Sequence, residues 1–132
     1  MGIPNVNHVT PLMQVFDMPT SVAFYRDVLG FELVATSEPG PHFDWAMLKL
    51  GGATIMLNTK YERDQRPPQP EPPAGRDDFT LYFGCDDVDA AYAELRGKCD
   101  VEPPQTMHYG MRQMNVRDPD GFHLCFQHPD RS

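Results

Sequence analysis

The sequence predicts a small α+β domain made of two copies of one unit, in which a strand is followed by a helix and three further strands. Two observations lead to this fold class. Apolar residues follow the periods of strands and helices in the same order in both halves of the 132-residue chain. Between the halves, residues 60–77 contain five prolines, which excludes a helix or a central strand there. We therefore expect a first module at 1–59, a proline-rich linker loop at 60–77 and a second module at 78–132.

The first unit opens with residues 9–16, which are rich in apolar and β-forming types and predict a strand. Asp17 is a suitable N-cap for the helix that follows, with Pro19 in its first turn. Gly30 then ends the helix as a left-handed cap. The apolar stripe of this helix consists of Met18, Val22, Tyr25 and Leu29. Three further strands are predicted at residues 31–36, 43–49 and 53–58, with a Gly51-Gly52 turn between the last two.

The second unit repeats this order after a shift of about 70 residues, which places Asp17 on Asp87. Residues 79–85 predict a strand, and Asp87 begins a helix. The apolar stripe of this second helix consists of Val88, Ala91, Tyr92 and Leu95. Strands are predicted at residues 100–106, 111–116 and 122–127. The last two are joined by a strong turn signal, Asp118-Pro119-Asp120-Gly121.

Charge and composition exclude several classes of function. A net charge of −8 repels phosphate backbones and argues against nucleic-acid binding. The apolar runs are too short to span a bilayer, and the first residues lack the pattern of a signal peptide. The three cysteines are widely spaced and odd in number, as expected of reduced thiols. We expect a cytoplasmic protein that binds neither nucleic acid nor membrane.

Strand alternation separates two kinds of surface, since alternate residues share a face. One face is almost wholly apolar and should pack on the helices. The other mixes aromatic, Met, Thr, Gln and His side chains, as a cleft for a partly apolar small molecule does; a merely solvated sheet face is the alternative. The residues predicted to line this cleft, with two from a neighbouring loop, are Thr10, Leu12, Phe43, Trp45, Met56, Thr80, Tyr82, His108, Tyr109, His123 and Cys125.

Three segments resemble one known family. Residues 24–32 (FYRDVLGFE) look like the first-helix signature of the glyoxalase / bleomycin-resistance / extradiol-dioxygenase group, the vicinal oxygen chelate superfamily. Residues 87–95 (DVDAAYAEL) are similar to its second-helix sequence, and residues 110–121 (GMRQMNVRDPDG) to its last hairpin. The resemblance covers about Thr10 to Gln127. It implies two βαβββ modules that curl into a half-barrel cleft, usually in a homodimer.

The resemblance also implies where a metal would bind. Metal-dependent members place one ligand, usually His or Glu, on each of the first, fourth, fifth and last strands. The matching positions here are Thr10, Met56, Thr80 and Cys125. Two hydroxyls and a thioether are poor ligands for a hard divalent ion. The sequence therefore favours the metal-free branch that binds drugs or antibiotics, with no cofactor, no metal ligand and no assigned catalytic residue.

Other interpretations stay open from the sequence. A register slip of two would make His8 a ligand, and His123 with Cys125 would suit a soft metal such as zinc. A metal-dependent lyase, isomerase or dioxygenase with atypical ligands is the first alternative function, so whether the protein is an enzyme is left open. A non-catalytic interaction domain, using the acidic surface or the proline-rich loop, is the second.

Overall fold

The computed structural model describes residues 2–62, 64–69 and 78–131 and folds them into two sheets with helices packed against them, which confirms the α+β class. The first sheet has the spatial order β1-β4-β3-β2 and contains β1 (Leu12–Val15), β2 (Glu32–Thr36), β3 (Trp45–Leu50) and β4 (Ala53–Thr59). The second has the order β5-β9-β8-β6 and contains β5 (Thr80–Gly84), β6 (Asp100–Val101), β7 (Gln105–Thr106), β8 (Met111–Arg117) and β9 (His123–Pro129). β7 pairs with a second stretch of β8.

The two sheets repeat one another down to their register. In the first, β1 runs parallel to β4 and Leu12 pairs with Met56. In the second, β5 runs parallel to β9 and Tyr82 pairs with Cys125. The remaining strand pairs of both sheets are antiparallel. The predicted duplication is therefore present in the hydrogen bonding as well as in the order of elements, while the predicted module boundaries stay a prediction.

The first helix begins as the sequence predicts and then widens. The Asp17 side chain caps α1 (Met18–Ala23) by accepting a hydrogen bond from the Thr20 backbone N–H. The helix continues as a π-helical segment, Phe24–Val28. Gly30 has φ +92°, the left-handed conformation predicted for the end of this helix.

The second helix, α2 (Val88–Leu95), is capped in the same way by Asp87, which accepts from the Ala90 backbone N–H. Its two ends, Val88 and Leu95, are buried in the core. No helix in the described part of the chain is both long enough and apolar enough to cross a membrane.

Two predicted strands differ from the observed ones because of proline. β1 begins at Leu12 rather than at Val9, since Pro11 has no N–H to donate to a ladder; Val9 is 89% exposed. The strand predicted at 100–106 is split into β6 and β7 by Pro103 and Pro104. Both pieces still pair with β8, so the predicted strand order is kept.

Each sheet has a back face, turned toward the helices, and a front face, turned away from them. Back-face residues form the core, which includes Met13, Val15, Leu48, Ile55, Leu57, Met114, Val116 and Leu124. By the strand register, the front face of the first sheet carries Leu12, Gln14, Trp45, Met47, Lys49, Thr54, Met56 and Asn58. The front face of the second carries Thr80, Tyr82, Met111, Gln113, Asn115, Arg117, His123, Cys125 and Gln127, with Arg117 paired to His123 and its guanidinium donating to the Gly121 carbonyl. The alternation predicted from the sequence therefore holds in both sheets.

The predicted linker at 60–77 falls partly on residues 63 and 70–77, which lie outside the described residues. Its described part contains no helix or strand. Arg66 attaches this part to the first module, because its guanidinium binds the Asp17 carboxylate at 2.7 Å and lies over the Phe16 ring at 4.1 Å.

The turn between β8 and β9 joins the second module to α1 of the first. The Tyr25 hydroxyl donates to the Asp118 carboxylate at 2.7 Å, and both residues are buried. Asp118 also accepts from the backbone N–H groups of Asp120 and Phe122. The Asp120 carboxylate accepts from the Phe16 backbone N–H at 2.9 Å. Burial, opposed by these hydrogen bonds, raises the pKa of Asp118 to about 6.

We expect this buried carboxyl to make stability depend on pH. Because the pKa of Asp118 lies above its unfolded value near 3.8, the folded protein keeps a proton that the unfolded chain releases between those two pH values. The stabilisation is full below about pH 4 and is lost as the pH rises through about 6, with a difference of about 3 kcal/mol in the free energy of unfolding.

The Asp118→Asn variant removes this titration; its oxygen can keep accepting from the Asp120 and Phe122 backbone N–H groups, and its NH₂ can donate to the Tyr25 hydroxyl oxygen. Urea unfolding between pH 4 and pH 7 should therefore give a flatter dependence of the unfolding free energy for the variant than for the wild type. Asp64→Asn, at an exposed position, is the control and should leave the slope unchanged. Parallel curves for Asp118→Asn and the wild type would contradict this account.

Candidate functional site

The front face of the first sheet carries a cluster of apolar side chains. Met56 lies between two neighbours on adjacent strands, Leu12 on β1 and Met47 on β3. Trp45 lies one pair further along, beside Asn58. Leu12 is 48% exposed and the others are half-buried. Methionine and tryptophan adapt to flat or irregular apolar surfaces, so this front face suits the apolar part of a ligand.

The front face of the second sheet is polar instead, and a chain of hydrogen bonds crosses three of its strands. His123 on β9 is the centre of the chain. Its Nε2 lies 2.7 Å from the Asn115 Oδ1 on β8, and its Nδ1 lies 3.0 Å from the Thr80 Oγ1 on β5. Since an amide oxygen only accepts, the hydrogen lies on Nε2, and Nδ1 can accept from the Thr80 hydroxyl. Both ring nitrogens are thus engaged.

A second pair of polar side chains lies beside this chain. The Gln113 Nε2 donates to the Gln127 Oε1 at 2.9 Å across β8 and β9. Cys125 lies between Gln127 and His123 along β9 and pairs with Asn115 on β8 and Tyr82 on β5. Its thiol is 1% exposed, and burial raises its pKa to about 11. Because the thiol is buried and protonated, Cys125 is suited to lining the candidate site and not to acting as a nucleophile.

The amides of this row are site residues that the sequence interpretation missed. Gln113 and Asn115 share a face of β8 with each other, and Gln127 shares the front face of β9. The alternation of side chains along β8 and β9 is the sequence signal that places all three amides on one face.

The remaining predicted site residues lie apart from these two clusters. Thr10 precedes β1 and is half-buried. Phe43 precedes β3 and lines a cavity of about 660 Å³ beside α1, together with Phe16 and Tyr61. The structure therefore places Phe43 away from the front-face neighbours of Trp45. His108 and Tyr109 occupy the exposed turn between β7 and β8, with their rings in edge-to-face contact at 5.1 Å.

A cavity of about 1080 Å³ lies between the modules and is not centred on either front face. Its walls come from the end of the first helix, the β3–β4 hairpin, β5 and α2. Of the predicted site residues only Tyr82 lines it. Most of the side chains around it, such as Leu81, Phe83 and Leu95, belong to the back faces or helices, so the cavity is a groove in the packing between modules. We place the candidate site on the front faces, where the hydrogen-bonding groups lie.

The residues at the positions where metal-dependent relatives bind a metal do not fit one. Thr10 and Thr80 offer hydroxyls, Met56 a thioether and Cys125 a buried, protonated thiol. Hard divalent ions prefer carboxylate and imidazole ligands. Among the described residues, no group of three His, Cys, Asp or Glu side chains is arranged to hold a metal ion. We therefore derive no metal-assisted step for this site.

One protein-family model matches this chain, and many solved structures are similar to it. The Glyoxalase/Bleomycin resistance protein/Dioxygenase superfamily matches residues 5–126. Comparison with curated protein sequences gives no match.

Three solved structures illustrate the structural similarity. TioX from Micromonospora sp. ML1 has a TM-score of 0.74 at 23% identity, covering 94% of this chain and 99% of its own. TnmS3, an antibiotic-binding protein from Streptomyces sp. CB03234, has a TM-score of 0.66 at 28% identity, covering 95% and 98%. The bleomycin-binding protein from Streptomyces verticillus, solved with copper(II)-bleomycin, has a TM-score of 0.68 at 20% identity, covering 98% and 100%. The first and third show a shared fold.

The site makes a prediction about Cys125. With a pKa about 2 units above the ordinary thiol value, its thiolate fraction at pH 7.5 is about 100-fold lower than in the unfolded chain. Iodoacetamide should therefore alkylate Cys125 at least about 100-fold more slowly in the folded protein than in guanidinium, measured by peptide mass spectrometry. The half-buried Cys85 is the internal comparison and should be modified before Cys125. Modification of Cys125 first would contradict the covered-thiol assignment.

Proposed function

Because the chain belongs to the glyoxalase / bleomycin resistance protein / dioxygenase superfamily, we propose that it binds a small aromatic, drug- or antibiotic-like molecule without a metal ion. Binding or sequestration of the molecule, rather than its chemical conversion, is the proposed activity. The observation that carries the proposal is the chemistry of the two front faces, of which the first holds an apolar cluster and the second a row of hydrogen-bonding side chains.

The chemistry of the front faces supports binding over catalysis. General acid–base catalysis needs a group that is free to exchange a proton with the substrate. His123 has both ring nitrogens in hydrogen bonds to neighbouring side chains, and burial keeps the Cys125 thiol protonated. Neither is arranged as a base or a nucleophile, whereas Trp45, Met47 and Met56 offer surface on which a flat ring can pack.

The metal-free part of the proposal is supported by the side chains at Thr10, Met56, Thr80 and Cys125, whose donors do not suit a hard divalent ion. The choice of an antibiotic-like ligand is supported by TnmS3, an antibiotic-binding protein that is 28% identical over 95% of this chain. We carry over from it only the class of ligand.

A ligand panel tests the proposal directly. Purified protein is incubated with aromatic antibiotics, including metal-free bleomycin, and with planar tricyclic aromatics. At least one compound should raise the unfolding temperature, and EDTA should leave that increase unchanged. Absence of any shift across the panel would contradict the binding function, and loss of the shift in EDTA would contradict its metal independence.

Trp45 locates the binding surface, because it is the single tryptophan of the chain. A compound that shifts the unfolding temperature should lose about 10-fold in affinity in Trp45→Ala, measured calorimetrically, since a stacked indole contributes about 1.4 kcal/mol. Trp45→Phe should keep most of the affinity. Phe79→Ala, an aromatic truncation just before β5 at a residue whose ring contacts Phe122, is the control. Equal losses in Trp45→Ala and Phe79→Ala would contradict a front-face site.

We also propose that the protein is a cytoplasmic homodimer. Three free cysteines support a reducing compartment. The segment before β1 exposes Ile3, Val6 and Val9 at 85%, 72% and 89%, and apolar side chains in such numbers favour contact with a second copy.

Sedimentation should therefore give twice the chain mass at micromolar concentration. A variant carrying Ile3→Ser, Val6→Ser and Val9→Ser should move toward the monomer. Val34→Ser, which replaces an exposed apolar residue on β2, should not. A wild-type protein that sediments as a monomer at these concentrations would overturn the dimer.

A further inference from the structure

The amide side chains on the front face of the second sheet have a fixed direction. A primary amide presents an acceptor oxygen at one end and a donor NH₂ at the other. When the oxygen accepts a hydrogen bond within the protein, the NH₂ points to the opposite side and can donate to a group there. Asn115 and Gln127 both use their oxygens within the protein.

Asn115 is oriented by His123. The Asn115 Oδ1 lies 2.7 Å from the His123 Nε2, and the other ring nitrogen is held by the Thr80 hydroxyl at 3.0 Å. With the Asn115 oxygen against the N–H on Nε2 and the Thr80 hydroxyl donating to Nδ1, both imidazole nitrogens are satisfied. The Asn115 Nδ2 therefore points away from the ring.

Gln127 is oriented by Gln113. The Gln113 Nε2 donates to the Gln127 Oε1 at 2.9 Å, and Gln113 is buried. This leaves the Gln127 Nε2 as the outward end of the pair. Neither this nitrogen nor the Asn115 Nδ2 has a partner among the described residues, and both side chains are half-buried at the front face.

The two donors lie on either side of one covered thiol. Asn115 pairs directly with Cys125, and Gln127 follows Cys125 by two residues on the same strand. Diagonal neighbours of this kind lie about 7 Å apart in an antiparallel pair. Tyr82, the partner of Cys125 on β5, is 58% exposed and adds a hydroxyl at the same level. A group that approaches Cys125 from the front therefore meets neutral donors on several sides.

We infer that this face recognises a neutral carbonyl oxygen of the ligand, held by the NH₂ groups of Asn115 and Gln127 over Cys125. The inference rests on the proposed function, since it assigns the chemistry of the molecule that the front faces bind. A carbonyl fits because it is an uncharged acceptor with two lone pairs and can accept from two uncharged donors at once. An anionic oxygen fits less well, because Asn115 and Gln127 carry no charge and the net charge of −8 opposes an anion. Arg117, on the same face beside His123, donates instead to the Gly121 carbonyl.

Xanthone and xanthene test the inference as a matched pair. Both are tricyclic aromatics of the same shape, and only xanthone carries a ring carbonyl. The wild-type protein should bind xanthone about 10-fold more tightly than xanthene by isothermal titration, the gain expected for one well-made hydrogen bond in a covered site.

Two isosteric variants remove the outward donors and keep the inward bonds. Asn115→Asp retains an oxygen for the His123 Nε2, and Gln127→Glu retains one for the Gln113 Nε2. Each should reduce the preference for xanthone to less than about 3-fold. Xanthene affinity should change little in either variant. Gln65→Glu, which adds the same charge at an exposed position, should preserve the wild-type preference.

The outcomes separate this inference from the proposed function. Equal binding of the two compounds by the wild type, or an unchanged preference in both variants, would overturn carbonyl recognition while small-molecule binding stands. Failure of both compounds and of the whole antibiotic panel to bind would overturn the proposed function, and the carbonyl inference with it. Unfolding curves of the variants that match the wild type show that a lost preference comes from the site.

Discussion

The two carboxylates of the β8–β9 turn hold the modules of one chain in a fixed relation. Asp118 accepts from the Tyr25 hydroxyl, and Asp120 accepts from the Phe16 backbone N–H and the Ser21 hydroxyl. All three donors belong to the strand–helix connection of the first module or to its helix. A buried carboxylate is expensive unless it is well hydrogen-bonded, so the turn of the second module is stable mainly when the first module supplies these donors. The pKa of Asp118 is still raised, because these hydrogen bonds only partly offset the desolvation of the carboxylate.

The position of the helices follows from this constraint and determines where a ligand can bind. With the helices packed on the back faces, the residues that alternate with the core must face outward. In the first sheet these include an apolar cluster with Trp45 and Met56 half-buried; in the second they are mainly polar, with His123 and Asn115 joined by a hydrogen bond. The two sheets therefore match in backbone register, as the pairs Leu12–Met56 and Tyr82–Cys125 show. Their front faces differ in side-chain chemistry.

Most of the fold could be predicted from local sequence signals, because each element carries its own. Asp17 and Asp87 mark the helix starts, Gly30 marks a helix end and the Asp118 to Gly121 turn marks the last hairpin, and the structure confirms all of them. The split of β6 from β7 was readable from two adjacent prolines but was not predicted. The hydrogen bond between Tyr25 and Asp118 joins residues 93 positions apart. The spacing of apolar residues along the sequence does not predict such a long-range contact. For the same reason the sequence predicted which sheet face would hold the candidate site, but not the hydrogen bonds between side chains of different strands.

The hydrogen bonds of His123 bear on the choice between a metal site and a binding site. The sequence left open that His123 and Cys125, which share a face, bind a soft metal. A ligating imidazole needs one nitrogen free of hydrogen and aimed at the metal, with the other held by a second group. Here the Nε2 hydrogen is given to Asn115 and the Nδ1 lone pair faces Thr80. Metal binding would have to break the Thr80 contact and also deprotonate a thiol whose pKa burial has raised. The same contacts that make this histidine a poor ligand are those that turn the Asn115 amide outward, so the proposed metal-free binding and the inferred carbonyl recognition depend on the same hydrogen bonds.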